Sequence, residues 1–130
     1  MTPRLSVITL GFDDRERSVA FYRDGLGLTT EGIIGTEFEF GAVAFFALQS
    51  GLRLAIWPRV SIEKDTGLPP SAPSDTEFTL GHNVGSRDEV NTVMELATRA
   101  GAAVVKPNAL SAIRPPIPRF SAQCTRPTPC

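Results

Sequence analysis

The sequence holds one histidine, His82, one tryptophan and one tyrosine, and its two cysteines, Cys124 and Cys130, both lie within the last seven residues. A zinc knuckle or a disulfide framework needs Cys or His in clustered pairs; neither a His nor a second Cys pair stands near these two, so free thiols are the expected state. Lysine is almost missing, with Lys64 and Lys106 the only two, and the 13 Lys and Arg are balanced by 14 Asp and Glu. With no basic excess and no run of like charge, nothing is available to neutralise a phosphate backbone, so nucleic acid is not an expected partner. Long apolar runs are missing as well. The opening MTPRLSVITLGFDDRERS lacks the uninterrupted core of a signal peptide, and no later window approaches the ~20 apolar residues of a membrane span. No membrane partner is expected, and the expected location is cytoplasmic. There is no GxGxxG after a strand, no Walker loop and no Gly-x-Ser-x-Gly elbow. Gly25-Leu26-Gly27 sits at the C-terminus of its expected helix, the wrong polarity to cradle phosphate.

What remains is apolar material, 42% of 130 residues, enough for one domain-sized core. Leu5 to Leu10 is a β-branched, apolar run closed by Gly11, as expected of a buried strand. Asp13 then caps a helix, with Glu16 three residues on and Val19, Tyr22 and Leu26 along one face, until Gly25 and Gly27 stop it. Three strand-like runs follow, Ile33 to Phe40, Val43 to Leu48 and Leu52 to Trp57, separated by Gly41 and Ser50-Gly51. The polar segment 58–76, with Pro at 58, 69, 70 and 73, reads as a linker.

The pattern then restarts. Phe78 to Val84 is strand-like, and Ser86-Arg87-Asp88-Glu89 matches the Ser-x-x-Glu capping box. Val90, Val93, Met94, Ala97 and Ala100 keep one helix face apolar until Gly101, and Ala102 to Val105 is again a strand. The order strand, capped helix, glycine stop, strand thus occurs twice, which predicts an α+β fold of two βαβββ modules. The second copy is expected to be incomplete. Its end, LSAIRPPIPRFSAQCTRPTPC, has Pro at 115, 116, 118, 127 and 129, which confines any late strand to Arg119 to Thr125.

ITLGFDDRERSVAFYRDGLGL, with Arg17-Ser18, Phe21-Tyr22 and Leu26-Gly27, and the later HNVGSRDEVNTVMELATRAGAAVVKP resemble the vicinal-oxygen-chelate superfamily of glyoxalase I, bleomycin- and fosfomycin-resistance proteins and extradiol dioxygenases. The resemblance implies one domain over residues 1–109, with module one at 4–57, the linker at 58–76, a partial module two at 77–109, and an atypical Pro-rich tail at 110–130. It further implies a mixed sheet curled into a cup with helices outside, a small-molecule ligand inside, and a homodimer. Metal-dependent members hold one divalent ion with four His, Glu or Gln side chains from the inner strands.

Carried over one position at a time, the first ligand falls on Val7, the second on Leu54 with Arg53 and Ala55 beside it, and the third on Thr79. The fourth belongs to a last strand that the pattern does not reveal. None of these is a good ligand, so no cofactor is expected. The pocket is expected to be lined by Val7, Thr9, Leu54, Trp57 and Thr79, and the first functional reading is a small-molecule binder without the family metal. Trp57, Phe45, Phe46 and Phe38 are either pocket walls or plain core, with core the ordinary role of aromatics in strands. A second reading is a metal-dependent lyase, isomerase or dioxygenase of the glyoxalase type, in which Glu37, Glu39, Glu77 and His82 converge on a divalent ion. The bland alternatives are a solvated strand face for Glu37 and Glu39 and a structural role for His82, which stands at opposite parity to Thr79. A third reading is a truncated or frameshifted inactive copy, suggested by the tail.

Overall fold

A computed structural model describes residues 3–69, 71–72, 79–106, 110–114 and 119–124. They fall into two compact units, Met1–Ala72 and Pro73–Cys130. In the first, strand β1 (Val7–Phe12) leads into helix α1 (Arg15–Ala20), then β2 (Thr30–Ile34), β3 (Val43–Ala47), β4 (Arg53–Pro58) and helix α2 (Arg59–Thr66). The sheet order is β1-β4-β3-β2, with β1 parallel to β4 and the other ladders antiparallel. In the second, β5 (Thr79–Val84), helix α3 (Arg87–Arg99), β6 (Ala103–Lys106), β7 (Leu110–Arg114) and β8 (Arg119–Cys124) repeat that order as β5-β8-β7-β6.

The duplication is close in register. A shift of 72 carries Val7 onto Thr79, Phe12 onto Val84 and the cap Asp14 onto Ser86 (79 − 7, 84 − 12, 86 − 14). The parallel ladders agree too, Val7 opposite Arg53 in one and Thr79 opposite Arg119 in the other. The α+β class and the two βαβββ modules stand as expected.

Several local expectations are corrected. The first cap is Asp14, whose Oδ1 accepts the Arg17 N–H at 3.0 Å, because Asp13 lies one residue too early to reach the first turn. Past Ala20 the helix widens into a π turn over Phe21–Gly25, in which the Leu26 N–H donates to the Phe21 carbonyl at 2.9 Å. Glu37 and Glu39 do not share a strand face. The chain leaves β2 at Ile34, and 35–42 is a turn segment with Phe40 and Ala42 in the left-handed region, φ 65° and 51°. Nor is 58–76 helix-free: Pro58 stands at the N-cap of α2, where its missing N–H costs nothing, and Gly67 closes the helix with φ 68°.

Beyond α3 the structure has more strand than expected. β8 falls within the window left by the prolines, and β7 lies ahead of Pro115, so the second sheet has four strands although 107–109 and 115–118 lie outside the described residues. The capping box at Ser86 forms as expected. Ser86 Oγ accepts the Glu89 N–H at 3.2 Å, while Glu89 Oε2 accepts the Gly85 N–H at 3.0 Å. Val90 and Ala97 are the buried residues of α3.

The core of the first unit lies between α1 and one face of its sheet. Ile8, Leu10, Phe12, Ala44, Phe46, Leu54 and Ile56 alternate onto that face, and Phe46 and Ile56 are completely buried. Tyr22, 1% exposed, packs its ring 5.6 Å from Phe46 and edge-on to Phe21 at 5.1 Å. That packing fixes which face of the sheet the helix covers.

Candidate functional site on the first sheet

Because α1 covers one face, the other is read from register alone. Three rows cross β1, β4 and β3 on it: Val7, Arg53 and Ala47; Thr9, Ala55 and Phe45; Gly11 and Trp57, with Val43 beyond. Val7, Thr9 and Trp57 therefore share this face. Leu54 does not. It is opposite Ile8 and Phe46 and buried on the α1 side, so the pocket position on β4 passes to Arg53 and Ala55.

In the middle row Ala55 is buried, 2% exposed, between Thr9 on one strand and Phe45 on the other. At one end Arg53 lays its guanidinium carbon 4.8 Å from the centre of the Phe45 ring, a stacked contact worth about 0.5–1 kcal/mol at an exposed site. At the other end the Trp57 indole N–H donates to the carbonyls of Phe40 (2.9 Å) and Gly41 (2.7 Å), tying the 35–42 turn to β4. Helix α2 closes that end. A Cβ at Gly11 would meet Arg59 Cγ at 3.0 Å and Ile62 Cδ1 at 3.3 Å, so glycine lets the helix approach β1 closely. The Arg53 end is open, with Val7 38% exposed.

The other candidates fall elsewhere. Phe46 is core, and Phe38 is 69% exposed on the turn segment. Glu37 and Glu39 are exposed on the same segment, and Glu77 lies outside the described residues. In the second unit, Thr79 opens β5 at the position matching Val7, and His82 is exposed three residues further along an unbroken ladder, at the opposite parity. Sequence reasoning missed Arg53 as a site residue; the signal was its even spacing from Trp57, which puts the two on one face of a strand.

A family metal does not fit these residues. Val7 and Ala55 offer only methyl groups, and Arg53 brings a fixed positive charge that repels a cation. Among the described residues no three His, Cys, Asp or Glu side chains are grouped to hold an ion. No described helix is long and apolar enough to cross a membrane.

Comparison with known proteins agrees with this architecture. The family model of the glyoxalase/bleomycin resistance protein/dioxygenase superfamily matches residues 4–109. The chain belongs to that superfamily. Among solved structures it is similar to a glyoxalase-related enzyme from Fulvimarina pelagi, with 26% identity, TM-score 0.76, and 95% of this chain and 88% of that chain covered. It has the fold of a mutant of the fosfomycin resistance protein FosX from Listeria monocytogenes, complexed with Mn(II) and a dihydroxypropylphosphonic acid, at 19% identity, TM-score 0.72, and 98% and 96% coverage. It also has the fold of a lactoylglutathione lyase from Agrobacterium tumefaciens, at 16% identity, TM-score 0.66, and 96% coverage of each chain. No curated protein sequence matches.

Proposed function

We propose that the protein is a small-molecule-binding member of the superfamily that works without the family's metal centre, its ligand lying on the face of the first sheet that carries Val7, Thr9, Arg53 and Trp57. The observation that carries this reading is the guanidinium of Arg53, stacked on Phe45 beside Val7 and Thr9, where metal-dependent relatives need oxygen or imidazole donors. The polar side chains of the three rows are Thr9, Arg53 and the Trp57 indole, none of which is a general base at neutral pH. Phe45 and Trp57 supply flat apolar area. The homodimer implied by the resemblance is part of the proposal and is measured by light scattering; a monomer at micromolar concentration would count against it.

The central test has two readings on one preparation. Protein purified from cells grown with zinc, nickel, iron and manganese is assayed for metal by mass spectrometry. Trp57, the only tryptophan, then reports titration with 2-naphthalenemethanol before and after treatment with a chelator. The expected result is metal well below one ion per chain and saturable binding that the chelator leaves unchanged. A stoichiometric, tightly held metal sinks the proposal.

A further inference from the structure

The segment between β2 and β3 is bent against its own residues. Phe40 and Ala42 both stand in the left-handed region, φ 65° and 51°, where a side chain is crowded by its own backbone, and Gly35 shares that region at φ 74°. Residues other than glycine keep such a conformation only where neighbouring structure over-determines it. Three backbone bonds close the turn from within. The Phe38 and Ala42 N–H groups both donate to the Gly35 carbonyl, at 3.2 and 3.1 Å, and the Gly41 N–H donates to the Phe38 carbonyl at 3.1 Å. Burial adds little, since Phe38 is 69% and Phe40 39% exposed.

Side chains from two other elements tie the turn down. The indole N–H of Trp57, on β4, is shared between the Phe40 carbonyl at 2.9 Å and the Gly41 carbonyl at 2.7 Å, so both bonds depend on one proton. Lys64, on α2, lies 5.9 Å from the centre of the Phe40 ring, at the outer limit of a cation–π contact. One shared proton thus holds a turn that carries two left-handed residues. Strain pushes the turn away and the indole pulls it back, and the two effects are of similar size.

We infer that residues 35–42 form a strap that opens locally while the β3–β4 ladder stays paired, with the Trp57 indole as its latch. Closed, the strap stands at the Trp57 end of the face that carries Val7, Thr9 and Arg53, because the indole that holds it belongs to that face. Open, Phe40 and Ala42 relax to ordinary negative φ, the Lys64 contact is given up, and the indole N–H is freed. The opening is a property of the chain alone and does not rest on the proposed binding role. Given that role, the strap sets access to one end of the site.

Native-state hydrogen exchange, followed residue by residue by NMR on the whole chain, tests the strap. The Trp57 Nε1–H and the Ala42 amide are expected to exchange through one common opening. That opening should be at least about 100-fold more frequent than the one that exposes the β3–β4 ladder amides, and nearly insensitive to urea because it exposes little surface. Trp57→Phe keeps an aromatic ring and removes the latch, so the opening seen at Ala42 should rise about tenfold relative to that of the ladder. Ala42→Gly relieves part of the strain and should make the opening about threefold rarer. Exchange of Nε1–H and Ala42 only at the rate of the ladder overturns the strap, as does a Trp57→Phe chain in which Ala42 is unchanged or an Ala42→Gly chain that opens more often than the parent. The first reading needs no variant, so a poorly folded Trp57→Phe does not leave the question open.

Discussion

Tyr22 is a buried phenol whose hydroxyl has no hydrogen-bond partner among the described residues. Its ring is fixed against Phe21 and Phe46, so replacing it with phenylalanine removes one polar atom and leaves the packing in place. A buried polar group left unsatisfied costs about 1–3 kcal/mol, and taking the low end allows for the small void left by the oxygen. Tyr22→Phe is therefore expected to stabilise the protein by about 1 kcal/mol, raising the melting temperature by about 3–5 °C for a chain of this size. Urea titrations followed by Trp57 fluorescence measure it directly. A second signature comes from pH. Burial raises the phenol's pKa above its ordinary value, so the neutral form is favoured in the folded protein. The contribution is full below the unfolded phenol's value of about 10 and is lost as pH climbs from there toward the folded value, at up to about 1.4 kcal/mol per pH unit. The alkaline decline should be shallower in Tyr22→Phe by that amount. If the variant is instead less stable by more than about 0.5 kcal/mol, the hydroxyl has a partner such as a buried water, and the reasoning fails.

Three further outcomes follow from the fold. Gly41→Ala drives a methyl into the Gly35 carbonyl across the turn and should cost about 1–3 kcal/mol, with a shift in Trp57 emission because the indole is bonded to that segment; an unchanged spectrum and stability would refute it. Ser86→Ala removes the acceptor for the Glu89 N–H and should cost about 1 kcal/mol, read as faster amide exchange in the first turn of α3; exchange equal to the parent's would refute it. Ending the chain at residue 109 removes the two inner strands of β5-β8-β7-β6, leaving β5 and β6 with no ladder partner in their sheet. Amide protection in β5 should vanish while that of β4 survives, and retained protection in β5 would show that the tail is not part of the sheet.

The parts legible in the sequence were those with a local chemical cause. Ser86 and Glu89 announce α3, Gly101 ends it, and the repeat of strand and capped helix predicts two modules. The site was legible only in part. Val7, Thr9 and Trp57 could be placed by parity, but Leu54, Ala55 and Ile56 are buried in succession, so apolar alternation says nothing there about which residue faces which side. Counting from Trp57 decides it for Arg53. Glu37 to Phe40 alternates like a strand, yet left-handed Phe40 and its neighbour Gly41 are held by the Trp57 indole 17 and 16 residues away, a cause no local pattern contains. Helix α2 was hidden for the opposite reason. Its Val60 is exposed, so the segment lacks an apolar stripe, and Ile62 packs close to Gly11, about 50 residues away in the chain.

The parallel pairing of β1 with β4 has a consequence for the order in which the chain is made. β1 emerges from the ribosome first, but its ladder partner β4 begins roughly 40 residues after Phe12. At about 5–20 residues per second that is a wait of about 2–8 seconds, far longer than a helix needs to form. Through that interval Leu10 and Phe12 have no sheet to join. Asp14 and its capped helix arrive immediately behind them, so Val19 and Tyr22 are the first apolar groups within reach of the waiting strand, and α1 serves the nascent chain as a shelter before it serves the finished fold as a core.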